Sequence, residues 1–355
     1  MRTKSFFLFL IIVITTSVIL ILVGNQRPSI ETIVSETHKQ INNLKSFKEN
    51  LEKAEEKHLV ADDKYLNVLG FTTKPRLYPS DVWKNTSLPI IVTYALDGQE
   101  QHAAAFARNT AHFLPGHTTV IYALGLGQYG LQTIQNHCNS SRCVVVNFDL
   151  SVFPSHVEEE RLSAYRPLIV QDALNKAGAV LFLESDQRLV SGRVDSLVGR
   201  ARETGVASWA TRHATSSLTH PKMFDYFRTS AESFLFLPMV EAGRLLLFNT
   251  PAVHSGVMLP WVQCALTHDC ILPIGAQSGG CRFNKKPQYR YAGCHRYDES
   301  ALNIVLGLHF DFDERRYTYR GTEPLLRKLG PEAVAAEFAS LEGNATEAAD
   351  GRDAP

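Results

Sequence analysis

The sequence predicts an α/β domain, a mostly parallel sheet flanked by helices, carried behind a transmembrane anchor and a helical stem. Three observations lead there. An uncharged apolar run from Phe6 to Val23 follows a short basic start. Strand-like apolar runs alternate with helix-like periods between residues 88 and 183, and six cysteines fall in three close sequential pairs. Strands alternating with helices call for a parallel sheet covered on both faces.

The run from Phe6 to Val23 is interrupted only by Thr15, Thr16 and Ser17. It approaches the ~20 apolar residues that a spanning helix needs. A cleavable signal peptide is the competing reading, but its apolar region is usually ~7–15 residues long and ends at a small-residue cleavage site. Here the run closes on Val23-Gly24-Asn25-Gln26-Arg27, and Arg2 and Lys4 outnumber the single Arg27. That asymmetry places the N-terminus in the cytosol. The expected layout is a cytoplasmic tail at 1–5, a signal anchor at 6–24, and a single-pass type II protein of the Golgi or endoplasmic reticulum membrane with its bulk in the lumen.

The cysteines agree with a lumenal domain. Cys138 with Cys143, Cys264 with Cys270 and Cys281 with Cys294 each close a short loop, the pattern of disulfides in an oxidising compartment. No pair has the Cys-x-x-Cys spacing of a zinc knuckle. Glycosylation triplets occur at Asn85, Asn139 and Asn344. Lys plus Arg and Asp plus Glu balance at 36 each, so no global field recruits nucleic acid.

Residues 25–84 read as the stem and a linker. Ile30, Ile33, Thr37, Ile41, Leu44, Phe47 and Leu51 form a helical stripe. It fits a parallel coiled coil that would make a homodimer, and equally a lone amphipathic helix. The lumenal domain is expected at 85–330. It starts with a buried strand at 88–95, a helix near 99–113, a strand at 118–124, a helix near 128–137 and a strand at 143–148. A helix at 162–177, stopped by Gly178, then leads to a strand at 179–183. Residues 205–320 mix short strands and helices with long loops, including a buried helix from Ala301 to Leu308. Residues 331–355, rich in Ala, Glu, Gly and Asp, read as a disordered tail.

In open α/β sheets ligands bind outside the carboxyl ends of the strands. The run Val180-Leu181-Phe182-Leu183 leads straight into Glu184-Ser185-Asp186. Two carboxylates two residues apart can face one hard cation, as Mg²⁺ or Mn²⁺ on a nucleotide diphosphate requires, or they can simply begin a solvated turn. A second cluster runs from Gln288 to Asn303, crowded with rings, two arginines and two acids. It suits a sugar or its phosphates, or a structural loop held by Cys281 and Cys294 with Arg296 paired to Asp298. The glycines of Gly125-Leu126-Gly127-Gln128-Tyr129-Gly130 do not make a dinucleotide fingerprint. No Gly-x-Ser-x-Gly or His-Glu-x-x-His occurs despite thirteen histidines.

The stretch Cys294-His295-Arg296-Tyr297-Asp298-Glu299-Ser300-Ala301-Leu302-Asn303 resembles the hallmark of an uncharacterised domain family expanded in nematodes and present in other invertebrates. The likeness takes in Tyr165 to Leu174, Glu184-Ser185-Asp186 and Pro260 to Leu266, and spans roughly residues 85–320. More widely, the chain is similar to glycosyltransferases of the GT-A fold. In those, a helix leads to a strand ending in an Asp-x-Asp motif that holds Mn²⁺ on the nucleotide sugar. Glu184 departs from that pattern, standing where the first Asp is usual. His254-Ser255-Gly256-Val257-Met258 is similar to the Asn-x-Gly-Val loop of such enzymes, and Asp298 to Asn303 to their acceptor-side segment.

This resemblance implies a Golgi-type glycosyltransferase that moves a sugar from a nucleotide sugar to a glycan or protein acceptor with Mn²⁺ or Mg²⁺. Tyr94 and Asp97 would face the base and ribose, and Arg166 would reach the diphosphate. Glu184, Asp186 and His309 would bind the cation, and Asp298 would be the general base. The alternative is a non-catalytic lumenal or cell-surface module that keeps the fold for binding.

Overall fold

The computed structural model describes residues 10–19, 21, 59–72, 87–278, 294–321 and 324–350. The chain divides into two units after Lys57. In the first, residues 10–19 are helical, and Thr15 and Thr16 donate their hydroxyls to carbonyls one turn back at 2.9–3.0 Å. Both hydroxyls are thus satisfied inside the helix. Among the described residues no helix is long and apolar enough to cross a membrane. The ends of the expected anchor and the stripe from Ile30 to Leu51 lie outside the described residues.

The second unit starts earlier than residue 85. Asp63–Val68 is a short helix capped by the Asp62 side chain, and Leu66 and Leu69 enter the main core. Gln171 Nε2 donates to the Leu69 carbonyl at 3.0 Å. This part of the expected stem belongs to the domain because its apolar side chains have a core to bury against.

The sheet follows the expected alternation. Its strands are β1 (Ser87–Ala95), β2 (His117–Ala123), β3 (Cys143–Asn147) and β4 (Ala179–Leu183). After a short β5 (Gln187–Leu189) come β6 (Val206–Ala214) and β7 (Pro238–Phe248); β8 (Leu326–Lys328) pairs with β5 in a separate ribbon. The six-stranded order is β3-β2-β1-β4-β7-β6. β1 to β4 are parallel, β7 runs against β4, and β6 runs against β7. Ile90, Val92 and Tyr94 of β1 join one core and Ile91 another. In β4, Val180 and Phe182 likewise part from Ala179, Leu181 and Leu183. This is the two-residue period of strands buried on both faces, which is why the runs are mainly apolar, with Thr93 as a buried polar exception.

The longer helices of the domain are α1 (Glu100–Phe113), α2 (Gln128–His137), α3 (Tyr165–Ala177), α4 (Asp195–Thr204), α5 (Leu259–Leu266), α6 (Asp298–His309) and α7 (Pro331–Asp350). Gly178 ends α3 at φ 79°, a left-handed cap that suits glycine. Two disulfides join Cys138 to Cys143 and Cys264 to Cys270, with Cα atoms 5.1 and 5.3 Å apart. Cys294 is also disulfide-bonded, while Cys281 lies outside the described residues. Asn139 is exposed in the loop that the first disulfide closes; Asn85 and the side chain of Asn344 lie outside the description.

Three expectations need correction. The region read as short strands contains the long antiparallel pair β6 and β7, hidden because Glu241, Gly243 and Arg244 break the apolar alternation of β7. The stretch His254 to Met258 is a widened turn of helix leading into α5 and not a loop. Of the segment 331–355 read as a disordered tail, residues 331–350 form α7, and 351–355 lie outside the described residues. Val334 and Phe338, one turn apart, are buried, and Glu337 accepts from Arg188 Nε at 2.8 Å.

Helix α6 is fixed by the polar residues of its own first turns. Trp261 Nε1 donates to the Asp298 carbonyl at 2.9 Å, and Glu299 Oε2 accepts from the Ala242 amide at 3.1 Å. Ser300 Oγ donates to the Leu218 carbonyl at 2.8 Å and accepts from the Arg296 amide at 3.0 Å. Asn303 reaches β7, accepting from the Val240 amide at 2.7 Å and donating to its carbonyl at 2.9 Å. Asn303→Ala strips the buried Val240 amide of that acceptor and should lower the unfolding free energy by about 2 kcal/mol. Urea denaturation of the purified variant checks this.

Candidate functional site

β1 has β2 on one side and β4 on the other, so the strand order reverses between β1 and β4. Such a reversal opens a crevice at the carboxyl ends of the strands. A cavity of about 480 Å³ lies beyond the end of β4. Its wall carries Arg161, Arg166, His213, Arg296 and Lys328 together with Glu184, Glu241, Asp298 and Glu299.

Arg166, in the first turn of α3, is buried at the centre of this set. Its Nη1 donates to Asp298 Oδ2, and its Nη2 donates to Glu184 Oε1 at 2.6 Å. Nε is buried without a hydrogen-bond partner among the described residues. One guanidinium therefore binds the start of α6 and the end of β4 to α3. A planar fork of donors can serve two carboxylates at once, which a lysine ammonium does less specifically. The carboxylate of Glu184 also lies against Gly243, where an added Cβ would stand 2.6 Å from its carboxyl carbon. Only glycine on β7 leaves room for that approach.

The electrostatics follow from burial and pairing. Burial pushes the Asp298 carboxyl up to about 7, with Arg166 pulling against it. Asp298 also begins α6, where the helix terminus favours negative charge. Burial likewise raises Glu299. For Glu184 burial acts upward too, but Arg166 and Lys328 outweigh it and hold the carboxyl below the usual range. Burial works to lower Arg166, and Asp298 and Glu184 overcome it and keep the guanidinium charged.

The residue before Asp298 is bent to deliver it. Tyr297 has φ 50° and ψ −115°, a conformation bulky residues rarely adopt, so the surrounding contacts hold it there. Its ring meets His295 edge-on at 5.0 Å and lies 5.9 Å from the Arg161 guanidinium. His295 accepts from the His220 amide at 3.1 Å through Nδ1 and donates through Nε2 to the Ile271 carbonyl at 3.1 Å. Burial lowers its pKa to about 4, so the ring is neutral and structural.

The expected site residues separate into two groups. Arg166, Glu184 and Asp298 come together at the cavity, where the two Nη groups of Arg166 each hold one carboxylate and so position both acids. Asp298 pairs with Arg166, not with Arg296. Tyr94 is buried between Tyr165 and Phe182, and Asp97 is exposed in the turn after β1; neither lines the cavity. His309 packs on Gly256, where an added Cβ would come 2.4 Å from its Nδ1, and is also outside the cavity wall.

A divalent cation does not fit the expected trio. Glu184 is engaged by Arg166, and Lys328 Nζ stands 3.1 Å from Asp186 Oδ2 and 3.6 Å from Glu184 Oε2. Among the described residues no three His, Cys, Asp or Glu side chains are grouped to hold a metal. Sequence reasoning missed Lys328, Arg161 and His213. Lys328 sits in Leu326-Arg327-Lys328 near the chain's end, and nothing in that tripeptide marks a site.

No protein-family profile matches the chain, and no curated protein matches it. Solved structures do. The galactosyltransferase LgtC, solved with donor and acceptor sugar analogues, has a TM-score of 0.42 at 13% identity, over 71% of this chain and 96% of its own. Mouse xyloside xylosyltransferase 1 has a TM-score of 0.37 at 12% identity, over 65% and 83%. The S. cerevisiae mannosyltransferase Ktr4p with GDP has a TM-score of 0.34 at 9% identity, over 70% and 79%. These neighbours are glycosyltransferases, and similarity at this level says nothing of the chemistry here.

The raised Asp298 has a signed consequence for stability. The folded protein keeps a proton that the unfolded chain has released, so this group favours folding in acid and that contribution is lost as pH rises through about 7. Asp298→Asn removes the effect. Urea unfolding from about pH 4 to about pH 7 should show the variant gaining stability relative to the parent as pH rises. A change in the opposite sense would mean that the pairing with Arg166 outweighs burial.

Proposed function

We propose that the protein transfers a sugar from a nucleoside diphosphate sugar to a hydroxyl of a glycan or protein acceptor. The observation that carries this reading is the cavity wall beyond β4, where Arg161, Arg296 and Lys328 stand beside the buried carboxyl of Asp298. Cationic side chains suit the phosphates of the donor. A carboxyl raised towards neutral pH suits removal of a proton from an acceptor hydroxyl. Asp298 Oδ2 is taken by Arg166, and Oδ1 accepts no hydrogen bond among the described residues, which leaves an oxygen for that proton.

Arg166 holds Asp298 and Glu184 in register, the remaining cations balance the departing diphosphate, and Asp298 takes the acceptor proton. The two short-range disulfides and the exposed Asn139 support a lumenal setting, and with the apolar N-terminal run they support a type II protein of the Golgi or endoplasmic reticulum membrane.

A panel of nucleoside diphosphate sugars, assayed for transfer to glycan acceptors and for slow hydrolysis, tests the proposal. One donor should be consumed, and Asp298→Asn should lower kcat/KM by roughly 10²–10⁴, the usual contribution of a positioned acid or base. Donor binding should survive the substitution. If no donor is bound or consumed, the catalytic reading is wrong and a binding module takes its place.

A further inference from the structure

The ammonium of Lys328 occupies the position in which a divalent cation was expected. We propose that Lys328 is a built-in counter-cation, holding Glu184 and Asp186 on one side and the diphosphate of the donor on the other, so that the site works without a bound metal. This deepens the glycosyl-transfer reading and rests on it.

The placement of Lys328 is set by backbone and not by chance contact. β8 pairs with β5 so that Lys328 lies opposite Gln187, the residue after Asp186. The Leu329 amide donates to the Asp186 carbonyl at 3.0 Å, which ties the two segments on the other side of the pair. Arg188 braces the same turn. Its Nη1 donates to the carbonyls of Ser185 and Gln187 at 2.7 and 2.8 Å, and its Nε donates to Glu337 of α7. The two acids and the lysine are therefore parts of one rigid corner.

The donor count then decides what Lys328 can do. An ammonium has three N–H donors and no acceptor. Asp186 at 3.1 Å and Glu184 at 3.6 Å account for two of its neighbours. The Lys328 side chain is 59% exposed and lines the cavity, so a phosphate oxygen can reach the third donor. Burial lowers its pKa, but Glu184 and Asp186 outweigh that and raise it, so the charge is kept across neutral pH. A hard dication needs about six oxygen ligands at close to 2 Å. Here one oxygen of Glu184 is held by Arg166 at 2.6 Å, and any dication on the pair would stand beside a guanidinium and an ammonium of its own sign.

The step balances without a metal. The bond between the anomeric carbon and the β-phosphate oxygen breaks, and the diphosphate leaves with its electron pair beside Lys328. A new bond forms from the anomeric carbon to the acceptor oxygen, whose proton passes to the Asp298 carboxylate. Lys328 stays protonated throughout.

The test measures Mn²⁺ binding to the full-length protein by the loss of its free electron-paramagnetic-resonance signal, with no nucleotide present. The parent should bind no Mn²⁺ that Asp186→Asn removes. Lys328→Ala should bind Mn²⁺ on the order of tenfold tighter or more, because a like charge about 4 Å away has gone, and Asp186→Asn in that background should abolish the gain. Circular dichroism melting of Lys328→Ala should match the parent, since the side chain is largely exposed. Binding by the parent that depends on Asp186, or no gain in Lys328→Ala, overturns the proposal. Activity separates this from the function itself: transfer that EDTA abolishes sinks the counter-cation and keeps the glycosyltransferase, while absence of transfer with every donor sinks the glycosyltransferase.

Discussion

Arg166 puts one nitrogen on Asp298 of α6 and another on Glu184 at the end of β4, and the cavity takes its form from that fork. The arginine comes from α3, so one buried cation joins the adjacent pair α3 and β4 to α6, which is 132 positions further along the chain at Asp298. Removing two carboxylates and a guanidinium from water is expensive, and such a group persists only when each charge finds good partners. The polar residues of α6 supply the rest. Glu299, Ser300 and Asn303 spend their side chains on the backbone of β7 and of Leu218, which leaves Asp298 as the residue of that turn directed to another charge.

The charges around the fork explain why two neighbouring acids behave differently. Glu184 faces Arg166 and Lys328 and stays ionised. Asp298 shares Arg166 but is more deeply buried and lies near Glu299, so its proton is held to about neutral pH. Pairs of titratable groups pushed apart by their surroundings are how one site can hold a fixed charge and a proton acceptor together. The longer side chain at position 184 belongs to this arrangement. Glutamate carries its carboxylate against Gly243 and into contact with Arg166.

Much of the domain was legible in the chain. β4 is apolar at every position and β1 is apolar over Ile90–Val92 because both faces are buried there, and Gly178 marks the end of α3 by its left-handed cap. The strand end at Glu184 and the segment from Asp298 to Asn303 also stood out as polar chemistry next to apolar elements. Their partners did not. Arg166 and Asp298 are 132 positions apart, and nothing in one sequence says that they touch. Lys328 is invisible for the same reason, since its role comes from the pairing of two three-residue strands. The resemblance to GT-A enzymes implied His309 as a metal ligand, but it is the last residue of α6 and its ring is directed to Gly256. The composition of residues 331–355 suggests disorder, yet Val334 and Phe338 at helical spacing are enough to dock α7.

The unfolding free energy of Arg166→Met measures what the shared guanidinium contributes. Methionine keeps much of the side-chain volume but leaves Glu184 and Asp298 without their shared partner. The account predicts a loss of about 3–5 kcal/mol, the usual cost of breaking a buried ion pair from one side. Replacing Glu184 with Gln and Asp298 with Asn in the same chain should restore most of it. An Arg166→Met protein as stable as the parent would contradict the claim that this guanidinium holds the site together.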